Sequence, residues 1–98
     1  MTKELQKSLD VLRAQKPYLK DAYHVKELGV FGSFARGDNR DQSDIDVLVD
    51  FSETPSLFEF AHLENFLNGK LPRKVDLVHK PGLKQAIRED ILREVIYV

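Results

Sequence analysis

The sequence has no cysteine, no tryptophan and no long apolar run. Without cysteine, disulfide bonds and thiolate metal sites are excluded. No segment approaches the roughly 20 consecutive apolar residues that span a bilayer. The opening stretch MTKELQKSLD is charged where a signal peptide would be apolar. The sequence therefore predicts a soluble, cytoplasmic protein that has no contact with a membrane.

A charge excess of either sign is also missing. The 15 Lys and Arg residues are balanced by 16 Asp and Glu residues, which gives a formal net charge of -1. This balance supplies no broad positive field for the phosphates of a nucleic acid, so direct nucleic-acid binding is not expected. Because domains typically hold about 100–200 residues, the 98 residues predict one domain spanning residues 1–98.

What the sequence does contain is an alternation of helical and strand patterns. Apolar residues at helical spacing predict a first helix from Thr2 to about Lys20, bent or ended at Pro17. The other predicted elements are the strands Glu27–Phe31, Asp44–Phe51 and Arg73–His79, the helices Leu57–Leu67 and Leu83–Val98, and a short helix opening at Gly32-Ser33. This order predicts an α/β (α+β) fold, in which helices pack on one face of a small mixed β-sheet.

Acidic side chains lie on the polar face of two of these strands. Within DIDVLVDF, Asp44 and Asp46 lie two residues apart, about 6.6 Å along a strand, and point to the same side. Asp76 lies on the polar face of RKVDLVH, so pairing of the two strands would add a third carboxylate. Like charges at such distances raise one another's pKa, and a divalent cation removes the conflict. Oxygen ligands of this kind favour Mg²⁺ or Mn²⁺.

The Gly-Ser pair before these carboxylates indicates a second kind of binding group. Gly32 and Ser33 leave a predicted strand and open a predicted helix. Glycine allows the backbone to approach a ligand closely, and the amide groups and hydroxyl at such a turn suit a phosphate. Carboxylates for a metal ion beside a phosphate cradle are the parts of a phosphoryl- or nucleotidyl-transfer site.

The compound motif resembles one known family. Gly32-Ser33, ten intervening residues, Asp44-x-Asp46 and then Asp76 in a later strand resemble the DNA polymerase β-like nucleotidyltransferase superfamily. The small size and the form GSFARG…SDIDVLVDF are most similar to its minimal nucleotidyltransferases. The resemblance covers about half of the chain, roughly Gly29 to His79, and implies the polymerase β-like nucleotidyltransferase fold.

The resemblance also implies roles for individual residues. It implies that the three aspartates are catalytic and hold the metal ion, Mg²⁺ or Mn²⁺, and that four residues of the preceding segment bind the nucleoside triphosphate, ATP. The catalytic and metal-binding set is Asp44, Asp46 and Asp76, and the nucleotide-binding set is Gly32, Ser33, Arg36 and Ser43.

Each of these residues has a plainer interpretation when it is taken alone. Ser33 could simply cap a short helix, and Asp44 could close a turn. Asp76 could be solvated on an exposed sheet face, and Arg36 could be an ordinary surface cation. A charge at Asp46, between Ile45 and Val47, is harder to explain without a function, because it lowers the β-propensity of the strand.

The acceptor is expected to be another protein, since 98 residues leave little room for a second domain that binds tRNA or an antibiotic. By resemblance, the partner is a HEPN-type ribonuclease toxin, and the chain acts as antitoxin by moving AMP onto a tyrosine of that toxin. Two alternatives stay open. One is an antitoxin that neutralises its partner by occlusion, with a nucleotide site that serves regulation. The other is a transferase for a small molecule of the aminoglycoside type.

The carboxy-terminal end is the last feature of note. The charged residues between Arg88 and Val95 are interpreted as the solvated face of the last helix. The four residues Val95–Val98 are apolar, and such residues are not left exposed without cause. They are predicted either to contact the partner or a second copy of the chain, or to complete the core of the domain.

Overall fold

The computed structural model describes residues 2–98 and contains four α-helices and four β-strands in those residues. In chain order the elements are α1 (Lys3–Tyr23), β1 (Val25–Phe31), α2 (Ser33–Arg36), β2 (Ile45–Phe51), α3 (Leu57–Asn68), β3 (Val75–His79), α4 (Gln85–Glu94) and β4 (Ile96–Tyr97), with a 3₁₀ turn at Lys80–Gly82 between β3 and α4. Among residues 2–98, no helix has both the length and the apolar character needed to cross a membrane.

Helix α1 follows from its capping residue and its leucines. The hydroxyl of Thr2 accepts a hydrogen bond from the Leu5 N–H at 3.1 Å, which satisfies a free amide of the first turn. The helix does not end at Pro17, as one of the two expectations had it, because α1 continues to Tyr23. Leu12 and Leu19 on either side of the proline are fully buried, and their burial outweighs the hydrogen bond that proline removes.

The sheet is mixed, with the strand order β3-β2-β1-β4. Strand β1 lies antiparallel to β2 and to β4, whereas β2 and β3 are parallel. One face of the sheet packs with leucines of α1 and α3 into the core, which includes Val47, Val49 and Leu77. The predicted α/β fold class, with helices on one face of a small mixed sheet, is confirmed.

The predicted strand boundaries need small corrections. Strand β1 begins at Val25, two residues earlier than expected, while β2 begins at Ile45 and β3 at Val75. Asp44 therefore lies just before its strand instead of on it. At the start of β2, the Ile45 N–H donates a hydrogen bond to the Lys74 carbonyl, just before β3, at 2.8 Å. Asp44 thus belongs to the loop that enters β2.

The prediction of one helix from Leu83 to Val98 is wrong at its carboxy-terminal end. Helix α4 stops at Glu94, and Ile96 pairs with Val30 at the outer edge of β1. The Val98 N–H donates to the Leu28 carbonyl at 2.9 Å. Valine and isoleucine favour strands, and pairing satisfies edge groups of β1 that would otherwise be open. Ile96 and Val98 pack against the core, so the second interpretation of this segment, completion of the domain, describes the structure.

Helix α4 itself is packed more loosely than its apolar spacing predicts. None of its residues is fully buried, and the side chain of Ile87 is 48% exposed. The core face of the sheet is already covered by α1 and α3. What fixes α4 is therefore its carboxy-terminal end, where the chain enters β4.

Candidate active site

Asp46 and Asp76 lie side by side on the polar face of the sheet. They occupy matching positions of the parallel pair β2–β3, so both carboxylates point away from the core. Asp46 is half-buried, and its pKa is raised from the ordinary value of 3.8 to about 6, chiefly by this burial. The carboxylates of Asp76, Asp44 and Glu94 add to the increase in pKa, whereas Arg36 opposes it. The site therefore concentrates negative charge that the protein compensates only in part.

Gly32 brings the backbone of the next segment directly against Asp46. Its φ of 76° and ψ of -154° lie in a region that side chains rarely adopt. A Cβ at this position would overlap Oδ2 of Asp46 and would lie 3.1 Å from its Cγ. Only glycine permits both the conformation and the close approach. The Gly-Ser turn and the Asp46 carboxylate thus lie directly against each other.

Glu94, the last residue of α4, reaches the same turn. Its Oε1 accepts a hydrogen bond from the Gly32 N–H at 2.9 Å, and its Oε2 accepts one from Nη1 of Arg36 at 3.1 Å. Arg36 also donates through Nε to Asp38, at 3.1 Å. The two carboxylates hold the guanidinium beside the Gly-Ser turn, although Arg36 remains half exposed.

Sequence reasoning missed Glu94 because it grouped this residue with a solvated helix face. One signal could have found it. Glu94 stands directly before the β-branched pair Val95-Ile96, and such residues favour strands over helices. A carboxylate at a junction of helix and strand lies at a sheet end, where the other site residues also cluster.

The loop between α2 and β2 carries Ser43 and Asp44. The Ser43 hydroxyl accepts a hydrogen bond from the Arg40 N–H at 2.8 Å and closes a turn. Arg73 donates to the Arg40 carbonyl at 2.8 Å and to Glu4 of helix α1 at 2.9 Å. These bonds tie the loop to the body of the protein, so the position of Asp44 is restrained on the loop side as well as by β2.

Asp44 and Ser33 remain accessible. Asp44 is exposed, whereas Ser33 is half-buried at the first position of α2. Within residues 2–98, no three Asp, Glu or His side chains lie close enough together to hold a metal ion. The expected crowding of three aspartates is thus reduced to the neighbouring pair Asp46 and Asp76, with Asp44 in the adjoining loop.

Comparison with known proteins assigns the chain to a family. Residues 12–98 match the family model of the nucleotidyltransferase domain. The chain therefore belongs to the nucleotidyltransferase family, and the sequence-based assignment to this family of enzymes is confirmed. It is 49% identical over 88 residues to the protein adenylyltransferase MntA of Thermococcus cleftensis, a match that covers 90% of this chain and 89% of the relative.

Solved structures confirm the fold. A structure assigned as a minimal nucleotidyltransferase superposes with a TM-score of 0.72 at 41% identity, covering 90% of this chain and 93% of the other. A complex of an MNT antitoxin with the tri-AMPylated HEPN toxin of Shewanella oneidensis superposes with a TM-score of 0.61 at 19% identity, covering 96% and 67%. The polymerase β-like fold expected from the motif is therefore present.

The raised pKa of Asp46 leads to a prediction about stability. In the absence of divalent metal, Asp46→Asn is expected to raise the free energy of unfolding by about 1 kcal/mol, after allowance for solvent screening of a half-buried carboxylate. The folded-state pKa exceeds the unfolded value, so ionisation destabilises the fold. The penalty is absent below about pH 4 and complete above about pH 6.

Urea unfolding of wild type and variant across this pH range measures the difference. The advantage of Asp46→Asn should vanish in acid and grow as the pH rises. Asp50→Asn, on the same strand, is the control, because Asp50 lies within 3.6 Å of Lys26 and should gain nothing. A variant less stable than wild type above about pH 7 would contradict the electrostatic description of Asp46.

Proposed function

We propose that this protein transfers AMP from ATP to a tyrosine hydroxyl of a HEPN-type toxin and thereby acts as its antitoxin. The observation that carries the proposal is the contact of Gly32 with Asp46, beside Asp76. This arrangement places a phosphate-binding turn next to paired carboxylates. The 49% identical relative is a protein adenylyltransferase, and the complex of similar fold contains a HEPN toxin that carries AMP.

The carboxylates fit Mg²⁺, with Mn²⁺ as a substitute. Asp46 and Asp76 are hard oxygen donors with matching positions on neighbouring strands, and the raised pKa of Asp46 reflects negative charge that a cation would neutralise. Asp44, exposed in the adjoining loop, is the third predicted ligand and would have to move toward this pair to bind the same ion. When bound, the metal ion would neutralise phosphate charge and lower the pKa of the attacking hydroxyl.

The other residues of the site would bind the triphosphate and accept the proton of the attacking hydroxyl. Ser33 and the backbone of the Gly32 turn would hold the triphosphate, with Arg36 and Ser43 at its margins. The acceptor hydroxyl oxygen attacks the α-phosphorus, the bond from this phosphorus to the bridging oxygen breaks, and pyrophosphate leaves with its electron pair. The hydroxyl proton passes to Asp76, which is exposed and lies beside Asp46.

A cytoplasmic location of the protein stays a prediction.

Intact-mass spectrometry of the toxin tests this function. Incubation of the purified toxin with this protein, ATP and Mg²⁺ is expected to add the mass of one or more AMP groups, and peptide mapping should place them on tyrosine. Chelation of the metal should prevent the addition. Heat-treated protein provides the control for carry-over of modified toxin.

Other outcomes separate the remaining candidates. A toxin that is neutralised in a stable complex but never gains mass would favour neutralisation by occlusion. A toxin that is neither bound nor modified, together with AMP transfer to an aminoglycoside, would favour the small-molecule transferase. Either result would contradict the proposal.

A further inference from the structure

The carboxylate of Glu94 joins the Gly32 backbone to the Arg36 side chain, in addition to the backbone hydrogen bond from the Arg36 N–H to the Gly32 carbonyl at 3.1 Å. Its two oxygens accept one hydrogen bond from the Gly32 backbone and one from the Arg36 side chain. We infer that Glu94 is a positioning residue, which holds Gly32 and Arg36 in the arrangement that receives the triphosphate. The inference rests on the proposed function, since it concerns the same site.

The surroundings of Glu94 distinguish it from the other charged residues of α4. Its side chain is 23% exposed, compared with 87% for Glu89 in the i,i+4 ion pair with Arg93. Gly32 is buried, and a buried N–H without an acceptor is costly. Glu94 supplies that acceptor as a carboxylate, which makes the bond charge-assisted and therefore stronger. A solvated surface pair has neither property.

The contact also leaves donors available for a nucleotide. Arg36 uses Nη1 for Glu94 and Nε for Asp38, whereas a guanidinium carries five N–H donors. The remaining donors of Arg36 can meet phosphate oxygens while the two carboxylates fix its plane. Ser33 follows directly after Gly32 in the sequence. Fixing the Gly32 amide therefore also orients the peptide that presents Ser33.

The carboxy-terminal strand gives Glu94 its fixed position. Ile96, two residues after Glu94, pairs with Val30, two residues before Gly32. The Val98 N–H continues this pairing to the Leu28 carbonyl. The backbone next to each residue thus belongs to the paired strands β1 and β4, which keeps the backbones of Glu94 and Gly32 near each other. This links the end of the chain to the nucleotide site.

If Glu94 competed with the nucleotide instead of positioning the turn, its removal would change the nucleotide affinity in the opposite direction. If Glu94 merely occupied the place of a phosphate, ATP would have to displace it, and its removal would strengthen nucleotide binding. If it positions the turn, its removal weakens binding. Glu94→Gln separates the two further, because the amide oxygen can still accept from Gly32 while the attraction to Arg36 is lost.

The test uses the full chain and isothermal titration with a non-hydrolysable ATP analogue in the presence of Mg²⁺. Glu94→Ala is expected to raise the dissociation constant about tenfold and Glu94→Gln about threefold, as for loss of hydrogen bonds to a charged group. The matched control is Glu89→Gln on the exposed side of the same helix, which should bind like wild type. In transfer assays, the KM for ATP should rise in Glu94→Ala while the KM for the acceptor protein stays unchanged.

Each result decides the inference. Unchanged or tighter binding by both Glu94 variants overturns it, and tighter binding identifies Glu94 as a competing anion. If Glu94→Ala does not fold, the affinity of Glu94→Gln for the ATP analogue decides, because a positioning role requires weaker binding once the attraction to Arg36 is lost, and binding equal to that of wild type overturns it. Absence of nucleotide binding by wild type refutes the proposed function itself, and the inference fails with it. Binding by wild type with unaltered variants refutes the inference alone.

Discussion

Asp46→Asn is expected to lower the rate of AMP transfer at least about a hundredfold while the chain remains folded. Asp46 is the carboxylate that touches the Gly32 turn and lies beside Asp76. Asparagine keeps the shape of the side chain and removes the charge that would hold a cation. Steady-state transfer assays measure the rate, and circular dichroism confirms the fold. The same variant should be more stable than wild type without metal, so lost activity cannot be attributed to unfolding.

Asp50→Asn provides the matched control for activity. Asp50 lies on the same strand, and its carboxylate faces Lys26 and His79 instead of the Gly32 turn. It should retain transfer within about threefold of wild type, a change of less than 1 kcal/mol in the activation barrier. If Asp46→Asn retains transfer at the level of Asp50→Asn, the assignment of Asp46 to the metal site is wrong.

Gly32→Ala is expected to destabilise the fold by about 3 kcal/mol and to abolish measurable nucleotide binding. The new methyl group would overlap the Asp46 carboxylate, and the backbone conformation at this position is one that alanine rarely adopts. Relief requires the turn to move away from β2 or Asp46 to change its rotamer. Either movement separates the phosphate-binding turn from the carboxylate. Thermal unfolding and titration with the ATP analogue measure the two effects.

Gly37→Ala separates backbone strain from the overlap with Asp46. Gly37 also has a positive φ, of 80°, but a Cβ there would meet no atom within 4 Å. This substitution should cost about 1 kcal/mol and leave nucleotide binding close to that of wild type. Equal effects of the two substitutions would show that strain alone matters, and that the contact between Gly32 and Asp46 does not shape the site.

The parts of the site that could be predicted from sequence depend on local patterns. The alternation of apolar and acidic residues around Asp46 and Asp76 predicts two strands with outward carboxylates, and the structure aligns them in register. The glycine before Ser33 predicts a turn whose backbone approaches a phosphate closely, and the structure adds a close approach to the Asp46 carboxylate that the sequence did not predict. In both cases, the local pattern predicts the element and the face on which a residue lies, whereas the pairing of the strands determines which residues meet.

The parts that could not be predicted depend on contacts between distant segments. Val95–Val98 continues the apolar spacing of α4, so the pattern alone extends the helix. Ile96 instead pairs with the open edge of β1, more than 60 residues earlier in the sequence, and this pairing ends the helix. The role of Glu94 depends on that pairing, since only the sheet brings its carboxylate to Gly32. Pro17 does not end helix α1 for a similar reason: the leucines around it are buried in the core, and the sequence pattern alone does not show this burial.

The most direct test of the proposed chemistry compares ATP labelled at the α-phosphate with ATP labelled at the γ-phosphate. Each is incubated with this protein, Mg²⁺ and the HEPN-type toxin, and the label on the toxin is measured after denaturing electrophoresis. We predict label on the toxin from the α-phosphate only, with the γ-phosphate released in pyrophosphate and both signals absent for Asp46→Asn. Transfer of the γ-label, or an α-label that persists in Asp46→Asn, would contradict nucleotidyl transfer at this site.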